Sequence, residues 1–143
     1  MAGEKPEDVV HRFIDEVVNG GDIDAIDDLW APGLRRHAGS GGDVEGVDAY
    51  KASLRAAVGG AFTDMRLTVH DTIAAGDTVV LRFTGSGTQT GPFMGVPATG
   101  RRAERPGIGI YRVRDGRIAE AWFGEDILGM MLRLGAVRLP AHP

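Results

Sequence analysis

Gly116-Arg117-Ile118-Ala119-Glu120-Ala121-Trp122-Phe123-Gly124-Glu125-Asp126-Ile127-Leu128-Gly129-Met130-Met131-Leu132-Arg133-Leu134-Gly135 is the stretch on which the fold turns. Arg117–Phe123 reads as a strand. Glu125 and Asp126 form an acidic corner, and an apolar helix over Ile127–Leu134 stops at Gly135. Upstream, Asp115-Gly116 is a tight hairpin turn, so this strand lies antiparallel to the one before it, Arg101–Val113. Further back, Met65, Leu67 and Val69 alternate with Arg66, Thr68 and His70, which is the period of a strand. Ala75-Gly76-Asp77 turns the chain into a long strand over Val79–Gln89, and Gly85 and Gly87 inside it predict a bend. The C-terminal half is thus a run of antiparallel strands closed by a helix.

The N-terminal half has another period. Val9, Val10, Phe13, Ile14, Val17 and Val18 form a helical stripe behind Pro6, which suits a first helical turn. Asn19-Gly20-Gly21 ends it. Asp22 caps a second helix with an inward face of Ile23, Ile26, Leu29 and Trp30, broken by Pro32-Gly33. Leu34–Ala38 is a short strand carrying His37. Gly39-Ser40-Gly41-Gly42 is a flexible loop without the Gly-Lys-Ser/Thr ending that a Walker-type phosphate loop requires. A third helix carries Val47, Tyr50, Leu54 and Val58, and Gly59-Gly60 closes it. Helices first and antiparallel strands after them predict an α+β fold in one domain spanning 1–143, with a frayed tail after Val137.

Bulk properties narrow the function. Hydrophobic residues are 43% of 143, enough for one core without a metal or a disulfide. With no cysteine, thiolate chemistry is excluded and a cytoplasmic location is favoured. A net charge of −4 offers no basic field for nucleic acid or an anionic membrane. Met1-Ala2-Gly3-Glu4-Lys5-Pro6 has no apolar run of a leader peptide, and no segment approaches the ~20 apolar residues of a membrane span. The four histidines, His11, His37, His70 and His142, show no paired spacing that would hold a metal.

Several side chains are candidates for chemistry, each with a structural alternative. Asp126 either removes a proton alpha to a carbonyl or merely caps the final helix. Glu120 shares a strand face with Trp122, so it follows Trp122 into a pocket or pairs outside with Arg117 or Arg105. Glu125 reads as a solvated corner residue. His37 can polarise a carbonyl or play a structural role. Arg82 stabilises an enolate if it faces inward, or forms an outer ion pair. Gln89 offers a hydrogen bond at a pocket rim. Phe13, Trp30, Phe62 and Trp122 are apolar bulk, and Phe93 and Met94 lie in a Gly/Pro-rich loop suited to a lid.

Three blocks resemble a known family. Thr88-Gln89-Thr90-Gly91-Pro92-Phe93-Met94-Gly95-Val96-Pro97-Ala98-Thr99-Gly100 is similar to a loop of SnoaL-like polyketide cyclases. So are Tyr111–Trp122 and the ending Asp126–Gly135, in matching order over residues 7–137. The resemblance implies a cone-shaped, curved antiparallel sheet wrapped around three N-terminal helices, an α+β barrel with an apolar pocket and a short C-terminal helix. It implies ring closure of a polyketide-like substrate in secondary metabolism by intramolecular aldol chemistry, without metal or cofactor. It also implies Asp126 as acid/base and a homodimer or higher oligomer formed through the sheet, and the strand positions of His37 and Arg82 make them candidate helpers. Related proteins open epoxides, isomerise ketosteroids or assist hydroxylation, and a non-catalytic binder is a further alternative. Gly124 stands where the epoxide-opening relatives carry Asp. Gln89, Ala98 and Phe123 depart from the family pattern, and the first and last of these bear on the substrate.

Overall fold

The computed structural model describes residues 4–141. The expectation about Met1-Ala2-Gly3, and His142, fall outside the described residues. Helix α1, Pro6–Arg12, opens on its proline with Glu7 and Asp8 in the first turn, where they complement the helix dipole. From Phe13 to Val18 the coil widens to a π-type turn, seen in the bond from the Asn19 N–H to the Ile14 carbonyl at 2.9 Å. The whole predicted stripe, Val9 to Val18, is buried. A 3-10 turn, Ile23–Ala25, leads into the one-turn helix α2, Ile26–Leu29.

Here the sequence reading needs a correction. Trp30 opens strand β1, Trp30–Ala38, rather than ending a helix. Pro32 and Gly33 do not break a helix. They sit inside β1, where its pairing with the neighbouring strand is irregular between Trp30 and Arg35. The missing proline N–H costs nothing there, since no ladder bond is required of it. Strand β2 is Val44–Glu45, and helix α3 is Val47–Ala57, burying Tyr50 and Leu54.

Strands β3 (Arg66–Ala75), β4 (Thr78–Thr88), β5 (Arg102–Arg114) and β6 (Arg117–Glu125) form the expected antiparallel meander, and helix α4, Ile127–Arg133, closes the chain. The sheet order is β2-β1-β6-β5-β4-β3. β1 returns from the helical half to lie parallel to β6, with His37 opposite Trp122. The sheet is therefore mixed rather than purely antiparallel. It is also open, with β2 and β3 at its edges, so the cone is not a closed barrel.

Residues on β4 and β5 alternate strictly. Val79, Leu81 and Phe83, then Ala103, Arg105, Tyr111 and Val113, face the helices. Across the ladders each inward glycine opposes a larger neighbour: Gly85 faces Arg105, Gly107 faces Phe83 and Glu125, and Gly109 faces Leu81 and Phe123. A Cβ on Gly107 would lie 2.9 Å from Phe83 Cζ and 3.0 Å from Glu125 Cγ. These gaps let large and charged side chains share the concave face. The main core lies between that face and α1–α3. A second cluster, Phe62, Phe93, Ala103, Met130, Met131 and Leu134, fixes α4 and the 91–100 loop at one end.

Candidate functional site

A cavity of about 310 Å³ opens between the concave face, the π-type turn Phe13–Val18, α3 and the 91–100 loop. This is the lower end of the range for small-molecule sites. Phe13, Leu54, Phe83, Tyr111 and Phe123 give it an apolar wall. Only three of its lining residues are charged: Arg36, Arg105 and Glu125.

Glu125 is the centre of the arrangement. Its side chain is 2% exposed, and Arg105 Nε contacts its Oε2 directly. Its Oε1 accepts a hydrogen bond from the Ser40 N–H at 3.2 Å and lies 3.9 Å from Arg36 Nη2. The loop after β1 makes the first contact possible. Gly39 has φ +74, and a Cβ there would stand 2.5 Å from Glu125 Oε1. The sequence reading of Glu125 as a solvated corner residue is thus corrected.

Arg36 donates from Nη1 to the carbonyls of Ala38 at 2.7 Å and Gly42 at 3.1 Å. Its guanidinium lies 4.4 Å from the centre of the Phe123 ring. Both tyrosines of the chain border this group. Burial pushes the Tyr50 phenol up from 10 to about 12, and burial pushes the Tyr111 phenol well above 10, with neighbouring Tyr50 adding to it. Each remains a neutral hydroxyl at ordinary pH, able to donate a hydrogen bond. Behind them Trp30 is fully buried, with its ring 5.2 Å from Phe13 and 4.8 Å from Tyr50.

The residues named from sequence divide into two groups. Phe13, Phe93 and Met94 line the cavity. Phe93 packs edge-on against Phe62 at 5.1 Å, and Met94, with φ +49, is half exposed at the rim. Trp30 supports the wall from behind without lining it. Gln89 is fully buried and latches the loop: its Nε2 donates to the Val96 carbonyl at 3.1 Å, and its Oε1 accepts from the Thr99 hydroxyl at 2.8 Å.

His37, Glu120 and Trp122 come together, but on the outer face of the sheet. His37 Nε2 and Glu120 Oε2 are 2.6 Å apart, and the imidazole stacks on Trp122 at 5.4 Å. Arg112 covers the Trp122 ring at 5.2 Å. The hydrogen bond from His37 is the main cause holding the Glu120 carboxyl below its ordinary range. Arg82 is also outside, paired with Asp71 at 2.5 Å. Asp126 is exposed and caps α4, accepting from the Gly129 N–H at 2.8 Å. None of these five side chains lines the cavity.

One extra residue in β6 explains the misreading. Arg112 pairs with Glu120, but Val113 pairs with Ile118, so Ala119 is a bulge. Continuing the alternation from buried Ile118 puts Glu120 and Trp122 inside. The bulge reverses the parity and puts Ala121, Phe123 and Glu125 there instead. Arg105 had a usable signal, since β5 keeps its period from Ala103 to Val113 and places it beside Tyr111. Arg36, two residues after buried Leu34, is legible the same way.

Among the described residues, no group of three or more His, Asp or Glu side chains could hold a metal ion. No described helix is long and apolar enough to cross a membrane.

Comparison with known proteins places this geometry in context. A family model described as SnoaL-like polyketide cyclase matches residues 8–134. The crystal structure of IdmH from Streptomyces antibioticus, a proposed polyketide cyclase, is 33% identical, covers 92% of this chain and 99% of its own, and has a TM-score of 0.80. TsrD from Streptomyces laurentii is 32% identical, with 92% and 95% covered and a TM-score of 0.81. AclR from Streptomyces galilaeus, a proposed hydroxylase, is 27% identical, with 93% and 97% covered and a TM-score of 0.78. Among proteins of curated function, none matches the chain.

Proposed function

The chain belongs to the SnoaL-like polyketide cyclase family, and from that premise we propose that it closes a ring in a largely apolar polycarbonyl molecule by cofactor-independent acid/base chemistry of the aldol type. One observation carries the reading: a buried carboxylate, Glu125, stands on an apolar cavity wall between two guanidinium groups.

Glu125 takes a proton from a carbon alpha to a substrate carbonyl, and the electron pair of that C–H bond becomes an enolate. As negative charge leaves Glu125 for the enolate oxygen, Arg105 follows it, and the neutral hydroxyls of Tyr50 and Tyr111 supply hydrogen bonds. The enolate carbon attacks a second carbonyl of the same molecule. The new alkoxide receives the proton that Glu125 holds, so atoms and charge balance. The apolar wall folds the substrate so that the two carbons meet. Phe93 and Met94 close the rim over it. The acid/base role that the family resemblance implies for Asp126 falls to Glu125 in this reading, because Asp126 is exposed and engaged as a cap. His37 and Arg82 become residues of the outer sheet. The reading includes a homodimer across that outer face, where Ile108 and Ile110 are exposed.

Deuterium exchange tests it. The protein is incubated in heavy water with an aryl polyketone whose uncatalysed exchange is slow, and the C–H signals are followed by NMR. Wild-type protein and Asp126→Asn exchange and cyclise, while Glu125→Gln is slower by about 10²–10⁴-fold. Undiminished exchange by folded Glu125→Gln contradicts the assignment. A second reading, a non-catalytic binding protein, is favoured by the Arg105–Glu125 contact, which occupies the carboxylate. Tight binding by wild-type protein with no exchange supports that reading instead.

A further inference from the structure

The charge of the cavity is not balanced. Arg36 and Arg105 are each more than nine-tenths buried, and they share one carboxylate. Arg105 is in direct contact with Glu125 and is neutralised by it. Arg36 is not. Its Nη2 stands 3.9 Å from Glu125, beyond hydrogen-bond length, and its Nε has no hydrogen-bond partner. Its two bonds go to neutral carbonyls, and its flat faces meet the rings of Phe123 and Tyr50. Asp43, the nearby acid of the β1–β2 loop, accepts from the Ala38 N–H at 2.9 Å and does not line the cavity. Two buried cations on one carboxylate leave a net positive charge that is costly to hold out of water, and an anion offsets it.

The proposed reaction does not use up this excess. Moving a proton from carbon to Glu125 transfers the negative charge to the enolate, and the total charge of the site stays the same. Arg105 accompanies that charge. One positive charge, that of Arg36, is left over at every stage.

We infer that the cavity takes an organic monoanion: an apolar small molecule bearing one free carboxylate, which sits on Arg36 while the carbon skeleton lies against Phe13, Leu54, Phe83 and Tyr111. The inference deepens the reaction proposed above and rests on the same cavity, but it concerns which substrate enters rather than what happens to it. A polycarbonyl acid meets this requirement, and its neutral ester does not.

The test compares 2-naphthoate with its methyl ester by calorimetric titration at neutral pH and low salt, where turnover plays no part. Wild-type protein is expected to bind the acid at least about tenfold more tightly than the ester. Arg36→Gln brings the ratio to within about twofold. Glu125→Gln raises the ratio, since both guanidinium groups are then free for the anion. That variant decides the matter even if Arg36→Gln fails to fold. Equal binding of acid and ester by wild-type protein, or a ratio that Glu125→Gln leaves unchanged or lowers, overturns the inference. Deuterium exchange without acid preference removes the monoanion and leaves the reaction. Acid preference without exchange removes the reaction and leaves the monoanion.

Discussion

The two faces of β6 carry similar chemistry in opposite settings. On the outer face, Glu120, Trp122, His37 and Arg112 form a cluster of acid, aromatic rings and cations. On the inner face, Glu125, Phe123, Arg36 and Arg105 form another. The outer Glu120 side chain is 26% exposed, and the inner Glu125 side chain is 2% exposed. Outside, a partner sets a group's proton affinity, and His37 draws Glu120 down. Inside, the protein medium sets it, and burial drives both phenols up. Residue types alone do not make a site. Water exclusion makes a charge worth more on one side of the strand than on the other.

The largest contrast between the faces is expected in alkaline titration. The chain has two tyrosines, and both border the cavity. Tyrosinate absorbance of the folded protein stays flat through the ordinary phenol value of 10 and develops for Tyr50 only at about 12. In denaturant both ionise near about 10. A folded-state value above the unfolded one stabilises the fold fully below about pH 10, and that contribution is lost as pH rises through the folded value. Thermal midpoints therefore fall between about pH 9 and about pH 11. The sign is opposite for Glu120. Its contribution is present above the ordinary carboxylate value and is lost as pH falls through its lowered one, and exposure keeps it small.

Glycine substitutions sharpen the same contrast. Gly107→Ala pushes a methyl group into Phe83 and Glu125, and urea denaturation is expected to show a loss of about 1–3 kcal/mol. At Gly124, on the other side of the neighbouring strand, a Cβ meets nothing within 4 Å. Gly124→Ala is expected to change stability by less than about 0.5 kcal/mol. Equal losses at the two positions would mean that the inner gaps do not shape the cavity. Between these two lies Asp126→Ala, which removes one cap bond and costs about 1 kcal/mol in the same denaturation, with deuterium exchange retained.

Much of this fold is legible in the sequence. The stripe from Val9 to Val18, the period-two run from Met65 and the Asp115-Gly116 hairpin each have a local cause, and each lies where that cause puts it. The parallel pairing of β1 with β6 has no local signal, because it joins residues some eighty positions apart. The site was harder. A periodic argument correctly groups Glu120 with Trp122 and leaves Phe123 with Glu125, but it does not say which pair is inside. Trp122 is a natural choice for an interior anchor. Here it is stacked on His37 and covered by Arg112, so an outer aromatic imitates a core one. The bulge at Ala119 completes the reversal. Asp126 is one residue beyond the strand that carries Glu125, and that single step moves a carboxylate from the cavity to a helix cap.

The most direct test sets the mirrored carboxylates against each other. Glu125→Gln and Glu120→Gln are compared for deuterium exchange into one aryl polyketone, with folding checked by circular dichroism. The account predicts a loss of about 10²–10⁴-fold for Glu125→Gln and a change within about twofold for Glu120→Gln. Exchange that survives in Glu125→Gln and fails in Glu120→Gln would place the chemistry on the outer face and contradict the account.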